Sequence, residues 1–586
     1  MSAGNAGNLH IAWARLLFGA LAAAGVTDVV LSPGSRSTPL AIAAATDPAL
    51  RLHVIVDERS AAFFALGQAR VTGRPSVLVC TSGTAGAHYL PAVIEACQAF
   101  VPMIVITADR PSELYDAAAP QTIDQVGMFG GFVRHHAELG LPDAAPSALR
   151  AVPRIAAQAV ARSLGPTPGP VHVNARFRKP LEPVDTATPE PWEPLVATLA
   201  ARGPTVVRPP LPSPDAAAVV EIAERAARAE RGIIVCGPAP LAQAAGRDAI
   251  LALARRTGFP LLAEATSQIR FGGDRAGVTS IAAFDALLRV PALRARFTPD
   301  FVVELGAPPT SRGYAELVAG LRGAPRYVIA PHGWNDPQGD ASALVLADPA
   351  LVARLVAERL PERAAPSPWA ASFARDDARA AALIGSALAG LGLTGGAVVR
   401  ALVRSCPDDA ILAVGNSTPV RDLDAFCPPS PRALGVLSQR GASGIDGLVS
   451  GAAGARSVSR GPVALLLGDL SLLHDVGGLA QMARAPAPFV VVVVENGGGR
   501  IFEDLPVAAR VDRALFERCF VTPVPVHLEH AAAAFGVAHA RAGTAASLDE
   551  ALRAAWACGR ATLIEAVVDP REDARQRKHI EEELST

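Results

Sequence analysis

Lysine is almost absent. Of the 54 basic residues in this 586-residue chain, only Lys179 and Lys578 are lysines. Arginine cannot deprotonate, so it cannot replace a Schiff-base or general-base lysine. No G-x-x-x-x-G-K-[ST] loop is present either. Pyridoxal-phosphate, lysine-aldolase and P-loop ATPase chemistries are therefore excluded unless Lys179 serves, and Lys179 lies in the proline-broken RFRKPLEP, which reads as an exposed domain edge. The seven cysteines are scattered with no C-x-x-C pair, which argues against zinc ribbons, iron–sulfur sites and disulfide frameworks. Cys80, in the strand-like SVLVC, reads as core. A net charge of -1 leaves no footprint for nucleic acid or an acidic membrane face. No apolar run reaches the length of a membrane span. The opening MSAGNAGNLH lacks the basic flank and apolar stretch of a secretory signal, so the cytoplasm is the expected location.

What the chain does have is strand–helix alternation with polar loops at the strand tips. In the first third the apolar runs Val29–Leu31, His53–Val56, Val77–Cys80 and Met103–Thr107 end in SPGSRS, DERS, TSGTAG and ADRP. A proline-rich connector, RPPLPSP, precedes a middle third with GIIVCGPAP, PLLAEATS, FVVELGAPP and YVIAPHG. After LPERAAPSPW come AILAVGNS, ALGVLSQRGASGIDG and TLIEAVVD. The expected fold class is α/β, three doubly wound parallel-sheet domains over 1–190, 205–360 and 370–586. No short-period repeat breaks this plan.

The most informative stretch is GDLSLLHDVGGLAQMARAPAPFVVVVVENGGGR, from Gly468 to Arg500. Two short apolar runs, Val463 to Leu467 and Phe489 to Val494, flank a helical-length segment and read as buried parallel strands. In open parallel sheets ligands bind beyond the carboxyl ends of the strands. Asp469 and Asn496, 27 positions apart, would thus open onto one crevice. With the Gly498 carbonyl they form a set of hard oxygen ligands suited to Mg2+, or Mn2+ in its place, that also holds phosphate oxygens. Taken singly, Asp469 is an ordinary helix cap and Asn496-Gly497 an ordinary turn. The spacing resembles the diphosphate-binding motif of thiamine diphosphate enzymes. Ser471 and nearby amides would meet diphosphate oxygens at a helix start.

That cofactor needs a carboxyl group against its aminopyrimidine, and Glu58 in VDERS is the candidate. Its bland alternative is a first-turn glutamate that complements a helix dipole. Arg36, Arg110, Arg421, Arg440 and Arg312 all follow strand tips, which suggests substrates with several carboxylates, although any one arginine is ordinarily a solvated surface group. Ile445, Ile501 and Phe502 are apolar residues just beyond these loops, placed to line cofactor rings or simply to pack.

SPGSRSTPL, DERSAAFFALG, TSGTAGAHYLPAVIEA, TADRPSEL, QTIDQVGMF, GNSTPVRDLD, RGASGIDGL and GDLSLLHD follow one another as in one family. Across nearly its whole length the chain resembles the MenD family, thiamine diphosphate-dependent 2-succinyl-5-enolpyruvyl-6-hydroxy-3-cyclohexene-1-carboxylate (SEPHCHC) synthases of menaquinone biosynthesis. The resemblance implies the three-domain architecture of thiamine diphosphate decarboxylases: a pyrimidine-binding, a central and a diphosphate-binding domain. It implies decarboxylation of 2-oxoglutarate, conjugate addition of the succinyl unit to isochorismate, and a homodimer or homotetramer with active sites at the dimer interface. It assigns Glu58 to the aminopyrimidine and Asp469, Asn496 and Gly498 to the metal. Ser35, Arg36, Arg110, Gln121, Arg312, Ser417, Arg421 and Arg440 would handle substrates, and Ile445, Ile501 and Phe502 would contact the cofactor. Two departures stand out. Ser311 replaces a lysine frequent in the family, and Glu495 enters the turn at the metal, where its side chain is expected to point away from the diphosphate. An acetolactate synthase or 2-oxoacid decarboxylase would share the metal segment and the glutamate but needs fewer tip arginines. A non-catalytic homologue would ordinarily lack the glutamate or the ligands. A dinucleotide-binding Rossmann protein would need a G-x-G-x-x-G that the chain lacks.

Overall fold

The computed structural model describes residues 6–185, 188–208, 212–361, 366–389, 392–523 and 525–585. Among these residues lie three sheets in which every strand pairing is parallel. The first contains β1 (Asp28–Leu31), β2 (Arg51–Val54), β3 (Ser76–Cys80), β4 (Met103–Asp109), β5 (His135–Gly140) and β6 (Pro170–Arg176), in the order β2-β1-β3-β4-β6-β5. The second contains β7 (Gly232–Cys236), β8 (Leu261–Ala263), β9 (Phe301–Leu305), β10 (Arg326–Ala330) and β11 (Ala343–Leu346), in the order β11-β10-β9-β7-β8. The third contains β12 (Ile411–Val414), β13 (Gly435–Ser438), β14 (Val463–Gly468), β15 (Phe489–Glu495), β16 (Ala538–Ala542) and β17 (Thr562–Val567), in the order β13-β12-β14-β15-β17-β16. In each sheet the first strand has its successor on one side and the next strand on the other. That reversal creates a crevice at the carboxyl ends.

The chain forms two compact bodies. One comprises residues 1–210, 439–458 and 477–482, and the other 211–438, 459–476 and 483–586. The core of the first body packs Val29, Val77, Ile104 and Val171 of the central strands against Leu16, Leu17 and Phe18 of the helix Ala6–Ala23 and Val152 and Ala156 of the helix Pro146–Leu164. His172 of β6 is fully buried beside it. Its Nε2 faces the Thr107 hydroxyl at 2.8 Å, and its Nδ1 has no hydrogen-bond partner among the described residues. Burial, reinforced by His136, pushes its pKa down to about 3.

In the second body, Val235 and Val302 of the middle sheet share a core with Leu412, Leu466, Val492 and Ile564 of the third. Arg270 spans that junction without exposure. Its guanidinium donates to the carbonyls of Cys427 (2.8 Å), Ala263 (2.9 Å), Ala282 (3.0 Å) and Asp424 (2.6 Å). Arg326 on β10 is also buried, held by Glu304 at 3.0 Å, by Asp340 at 2.6 Å and by Asp336, while the Tyr314 hydroxyl donates to Glu304 at 2.6 Å. Burial raises the pKa of the Glu304 carboxyl. Truncation of one member of such a network strands its partners' charges in the interior.

Two outcomes follow. Arg326→Ala is expected to lower the free energy of unfolding by about 3–5 kcal/mol in a urea titration. His172 stays neutral in the fold while the unfolded chain protonates near pH 6.5, so stability is lost as pH falls from about 6.5 toward 3, at up to about 1.4 kcal/mol per pH unit for this group. His172→Gln should therefore flatten the acid limb of a stability–pH curve relative to wild type.

Candidate active site

In the first body the crevice lies between the tips of β1 and β3. The SPGSRS loop leaves β1 and packs on TSGT after β3, with the Arg36 N–H donating to the Thr81 hydroxyl at 3.3 Å. A Cβ on Gly34 would lie 2.3 Å from the Thr81 side chain, so only glycine fits there. Ser35 is exposed at the start of a short turn, Ser35–Ser37, and Arg36 beside it is buried. The Arg36 Nη1 donates to the Phe177 carbonyl at 2.6 Å. Arg110, at the tip of β4, donates to the Gln121 carbonyl at 2.8 Å and to the Ser82 hydroxyl. Gln121 itself is exposed and adopts a left-handed φ of 54°. Four residues on, buried Gln125 accepts the Gly83 N–H at 2.9 Å and donates to Asn174 at 3.2 Å, which docks the QTIDQ segment over the β3 tip.

The two guanidiniums feel each other. Burial and then the Arg110 charge pull the Arg36 pKa down, with Asp109 opposing, and burial does the same to Arg110, again opposed by Asp109. Asp109 is fully buried, accepting the Arg110 backbone N–H at 2.7 Å, the Asn174 amide at 3.0 Å and the Tyr115 hydroxyl. Neither Arg36 nor Arg110 forms an ion pair among the described residues.

Glu58 is the first residue of the helix Glu58–Thr72, which Asp57 caps by accepting the Ser60 N–H at 3.2 Å. It is half-buried. Its charge reaches the Cys80 thiol and the Tyr89 phenol, whose pKa values burial first pushes up. Cys80 is a core residue, fully buried. Arg440 and Ile445 belong to this body too, the first half-buried and the second exposed, in the loop that precedes the helix Leu448–Val458.

In the second body β14 and β15 pair in parallel with Gly468 opposite Val494, so their tips are neighbours. Asp469 begins the helix Asp469–His474. One carboxylate oxygen accepts the Leu470 N–H at 2.7 Å and the other the Gly498 N–H at 2.8 Å. Gly497 and Gly498 have φ of 75° and 117°. A Cβ at Gly498 would meet the Val521 carbonyl oxygen at 2.2 Å. The Gly499 N–H donates to that same carbonyl at 2.8 Å, and Arg500 binds the Asn496 carbonyl through Nε at 3.1 Å. The turn is thus held from both sides, while the Asn496 side-chain amide makes no hydrogen bond among the described residues.

This arrangement fits a hard divalent cation. The Asp469 carboxylate keeps lone pairs beyond those its two N–H donors use, the Asn496 amide oxygen has no hydrogen-bond partner among the described residues, and the Gly498 carbonyl is fixed by the Arg500 N–H at 2.8 Å. Among the described residues no cluster of three or more His, Cys, Asp or Glu side chains competes for a metal. Ser471 is buried in the first turn of the short Asp469–His474 helix. Ile501 and Phe502 lie in the turn Arg500–Asp504, Phe502 packing edge-on against Phe520 at 5.9 Å.

Glu495 is not remote from this turn. Burial, then the Asp469 and Glu565 charges, raise its carboxyl pKa, while Arg541 and the Gly497 N–H oppose the shift. Ser417 adopts φ 71° just before the helix Thr418–Phe426, and its carbonyl accepts from Arg421 at 2.7 Å. Asp422 next to it is locked by Arg577 at 2.7 and 3.0 Å. Arg312 opens the helix Arg312–Gly320 of the second body. It is 66% exposed and ion-paired with Glu316 at 2.8 Å. Ser311 is not an idle substitute for lysine, since it caps the helix Arg312–Gly320 by accepting the Tyr314 N–H and donates to Asp285 at 2.6 Å.

The sequence reading did not single out Ser82, Asp109, Gln125 or the Val521 carbonyl. The first three stand inside motifs already noted (TSGTAG, ADRP, QTIDQ), so position within a motif was the available signal. Nothing in the sequence marks Val521, whose backbone matters rather than its side chain.

Gly498→Ala forces a left-handed turn and a clash with Val521, and Asp469→Asn removes the carboxylate charge. Each should weaken Mg2+-dependent binding of thiamine diphosphate at least about tenfold in a calorimetric titration, with far-UV circular dichroism unchanged. Unchanged affinity would remove these residues from the metal site.

Comparison with known proteins gives two family matches, the N-terminal TPP binding domain of thiamine pyrophosphate enzymes over residues 11–128 and the C-terminal TPP binding domain over residues 429–566. The chain is 60% identical to a 2-succinyl-5-enolpyruvyl-6-hydroxy-3-cyclohexene-1-carboxylate synthase of Sorangium cellulosum, covering 97% of this chain and 94% of that protein. A synthase of the same description from Geobacillus kaustophilus is 42% identical over 90% of this chain and 89% of its own. Among solved structures, a benzoylformate decarboxylase of Polynucleobacter necessarius (TM-score 0.71, 16% identity, 95% of this chain, 98% of that one) and a 4-hydroxybenzoylformate decarboxylase of Rhodococcus jostii (TM-score 0.71, 18% identity, 95% and 99%) share the fold. The three parallel sheets, the two thiamine pyrophosphate domains and the extent of identity establish that the chain belongs to the family of 2-succinyl-5-enolpyruvyl-6-hydroxy-3-cyclohexene-1-carboxylate synthases.

Proposed function

We propose that this protein is a thiamine diphosphate- and Mg2+-dependent SEPHCHC synthase that decarboxylates 2-oxoglutarate and adds the succinyl unit to isochorismate, a step of menaquinone biosynthesis. The family supplies the reaction. The observation in this chain that supports it best is the Arg36–Arg110 pair, two guanidiniums from different strand tips set within each other's field with no ion-pair partner among the described residues. Such a pair is costly to assemble and is relieved by a carboxylate. 2-Oxoglutarate and isochorismate bring four carboxylates between them, of which one leaves as CO2.

Thiamine diphosphate, when bound, supplies the electron sink for decarboxylation. Asp469, Asn496 and the Gly498 carbonyl would hold the metal that anchors its diphosphate, with Ser471 beside them and Ile445, Ile501 and Phe502 against its rings. Glu58 would present its carboxyl to the pyrimidine and hold a proton there. Arg36, Arg110, Arg421 and Arg440, with Ser35, Gln121 and Ser417, would grip substrate carboxylates and fix the reacting carbons in register, a proximity effect. Arg312 would join them only by exchanging its Glu316 partner for a substrate carboxylate. We read the chain as pyrimidine-binding (1–190), central (205–360) and diphosphate-binding (370–586) domains of a cytoplasmic homodimer or homotetramer with active sites at the dimer interface. No helix of the described residues is long and apolar enough to cross a membrane.

The test is a spectrophotometric assay with 2-oxoglutarate, with and without isochorismate. Isochorismate-dependent product is expected. Pyruvate consumption indifferent to isochorismate would favour an acetolactate synthase-like enzyme instead. Glu58→Gln should retain coenzyme binding and lose about 10²–10⁴ in turnover.

A further inference from the structure

The loop that carries Arg440 and Ile445 is tied at both ends within the first body. At its far end the helix Leu448–Val458 crosses the Glu58 helix at a distance only glycine permits. A Cβ on Gly67 would lie 1.9 Å from the Gly451 carbonyl oxygen, one on Gly454 1.9 Å from that of Phe64, and one on Gly447 1.9 Å from the Phe63 ring. At its near end a buried carboxylate holds the backbone. Glu95, on the helix Leu90–Gln98 and 3% exposed, accepts the Gly441 N–H through Oε1 at 3.0 Å and the Ala442 N–H through Oε2 at 2.6 Å. Its charge is matched by Arg70, a residue of the helix that starts at Glu58. Gly441 sits so close that a Cβ there would lie 2.6 Å from the Glu95 carbonyl oxygen.

We propose that Glu95 is a positioning residue: by holding the backbone at Gly441–Ala442 and pairing with Arg70, it sets Ile445 against the coenzyme and keeps it in fixed relation to the Glu58 helix. A charged carboxylate facing two N–H groups and a guanidinium is a strong, directional clamp. A glutamine in its place offers one acceptor and turns an NH2 toward a donor. The proposal rests on the reading of Ile445 as a coenzyme contact, and the experiment separates the two.

Hydrogen exchange at the Gly441 and Ala442 amides is measured without coenzyme in wild type and Glu95→Gln. Thiamine diphosphate binding with Mg2+ is then titrated for wild type, Glu95→Gln, Ile445→Ala and the double variant. Exchange at both amides should rise at least about tenfold and coenzyme affinity should fall about tenfold in Glu95→Gln. In the Ile445→Ala background the further loss should shrink below about threefold, because both changes act through one contact. Unchanged exchange, unchanged affinity, or fully additive losses overturn the proposal. An Ile445→Ala variant that binds coenzyme like wild type sinks the Ile445 reading instead, while the exchange data still decide whether Glu95 holds the loop. Should Glu95→Gln fail to fold, Gly441→Ala keeps the Glu95–Arg70 pair and displaces the loop by collision, with the same expected changes and the same overturning results.

Discussion

The hydrogen bond from the Gly498 N–H to the Asp469 carboxylate is the contact on which the proposed metal site depends. It joins the tips of two adjacent parallel strands, one leading to the Asp469 carboxylate and the other to the Asn496 amide and the Gly498 carbonyl. Each surrounding choice protects it. Gly498 has no room for a side chain against Val521, Arg500 pins the Asn496 backbone, and six paired residues of β14 and β15 fix the register that brings the tips level. The proposed cation site rests on this geometry, because hard oxygen donors held at adjacent strand tips favour a hard ion.

The first body solves a different problem by the same means. It brings two guanidiniums together without an ion-pair partner among the described residues. Asp109 is placed behind Arg36 and Arg110, where it offsets their mutual repulsion while its own oxygens are engaged by Asn174, Tyr115 and the Arg110 backbone. A countercharge that offsets without ion-pairing leaves the guanidiniums available to a ligand. Where an arginine is meant for structure the contrast is plain. Arg326 is enclosed by three carboxylates and Arg577 by Asp422 and Asp573.

Most central strands were legible because they are buried on both faces and read as unbroken apolar runs, as β14 and β15 do, while β6 is broken by His172 and Asn174. Edge strands divide: β2, β8 and β13 fall in noted runs, whereas β5, β11 and β16 do not. β5 (HHAELG) and β16 (AHARA) pair on one side only and carry alanine, histidine or charge, so no apolar run announces them, and β11 (ALVL) is apolar but only 4 residues long. The run at His53–Val56 marks a strand two residues late, since pairing stops at Val54 and Val56 is exposed. In the site, Glu58, Asp469 and the Asn-Gly turn were visible because their chemistry sits at strand tips within short motifs. Glu95 was invisible because its partners lie 346 and 347 positions away and are backbone groups. Arg312 looked like its fellow tip arginines, yet Glu316 one helical turn on claims it.

The most direct test is to crystallise the protein with thiamine diphosphate and Mn2+ and to locate the metal by its anomalous signal. The account predicts a single strong peak per chain within about 2–2.5 Å of the Asp469 carboxylate, the Asn496 amide oxygen and the Gly498 carbonyl. Coenzyme bound with the peak elsewhere, or with Gly498 swung away from Asp469, would contradict it.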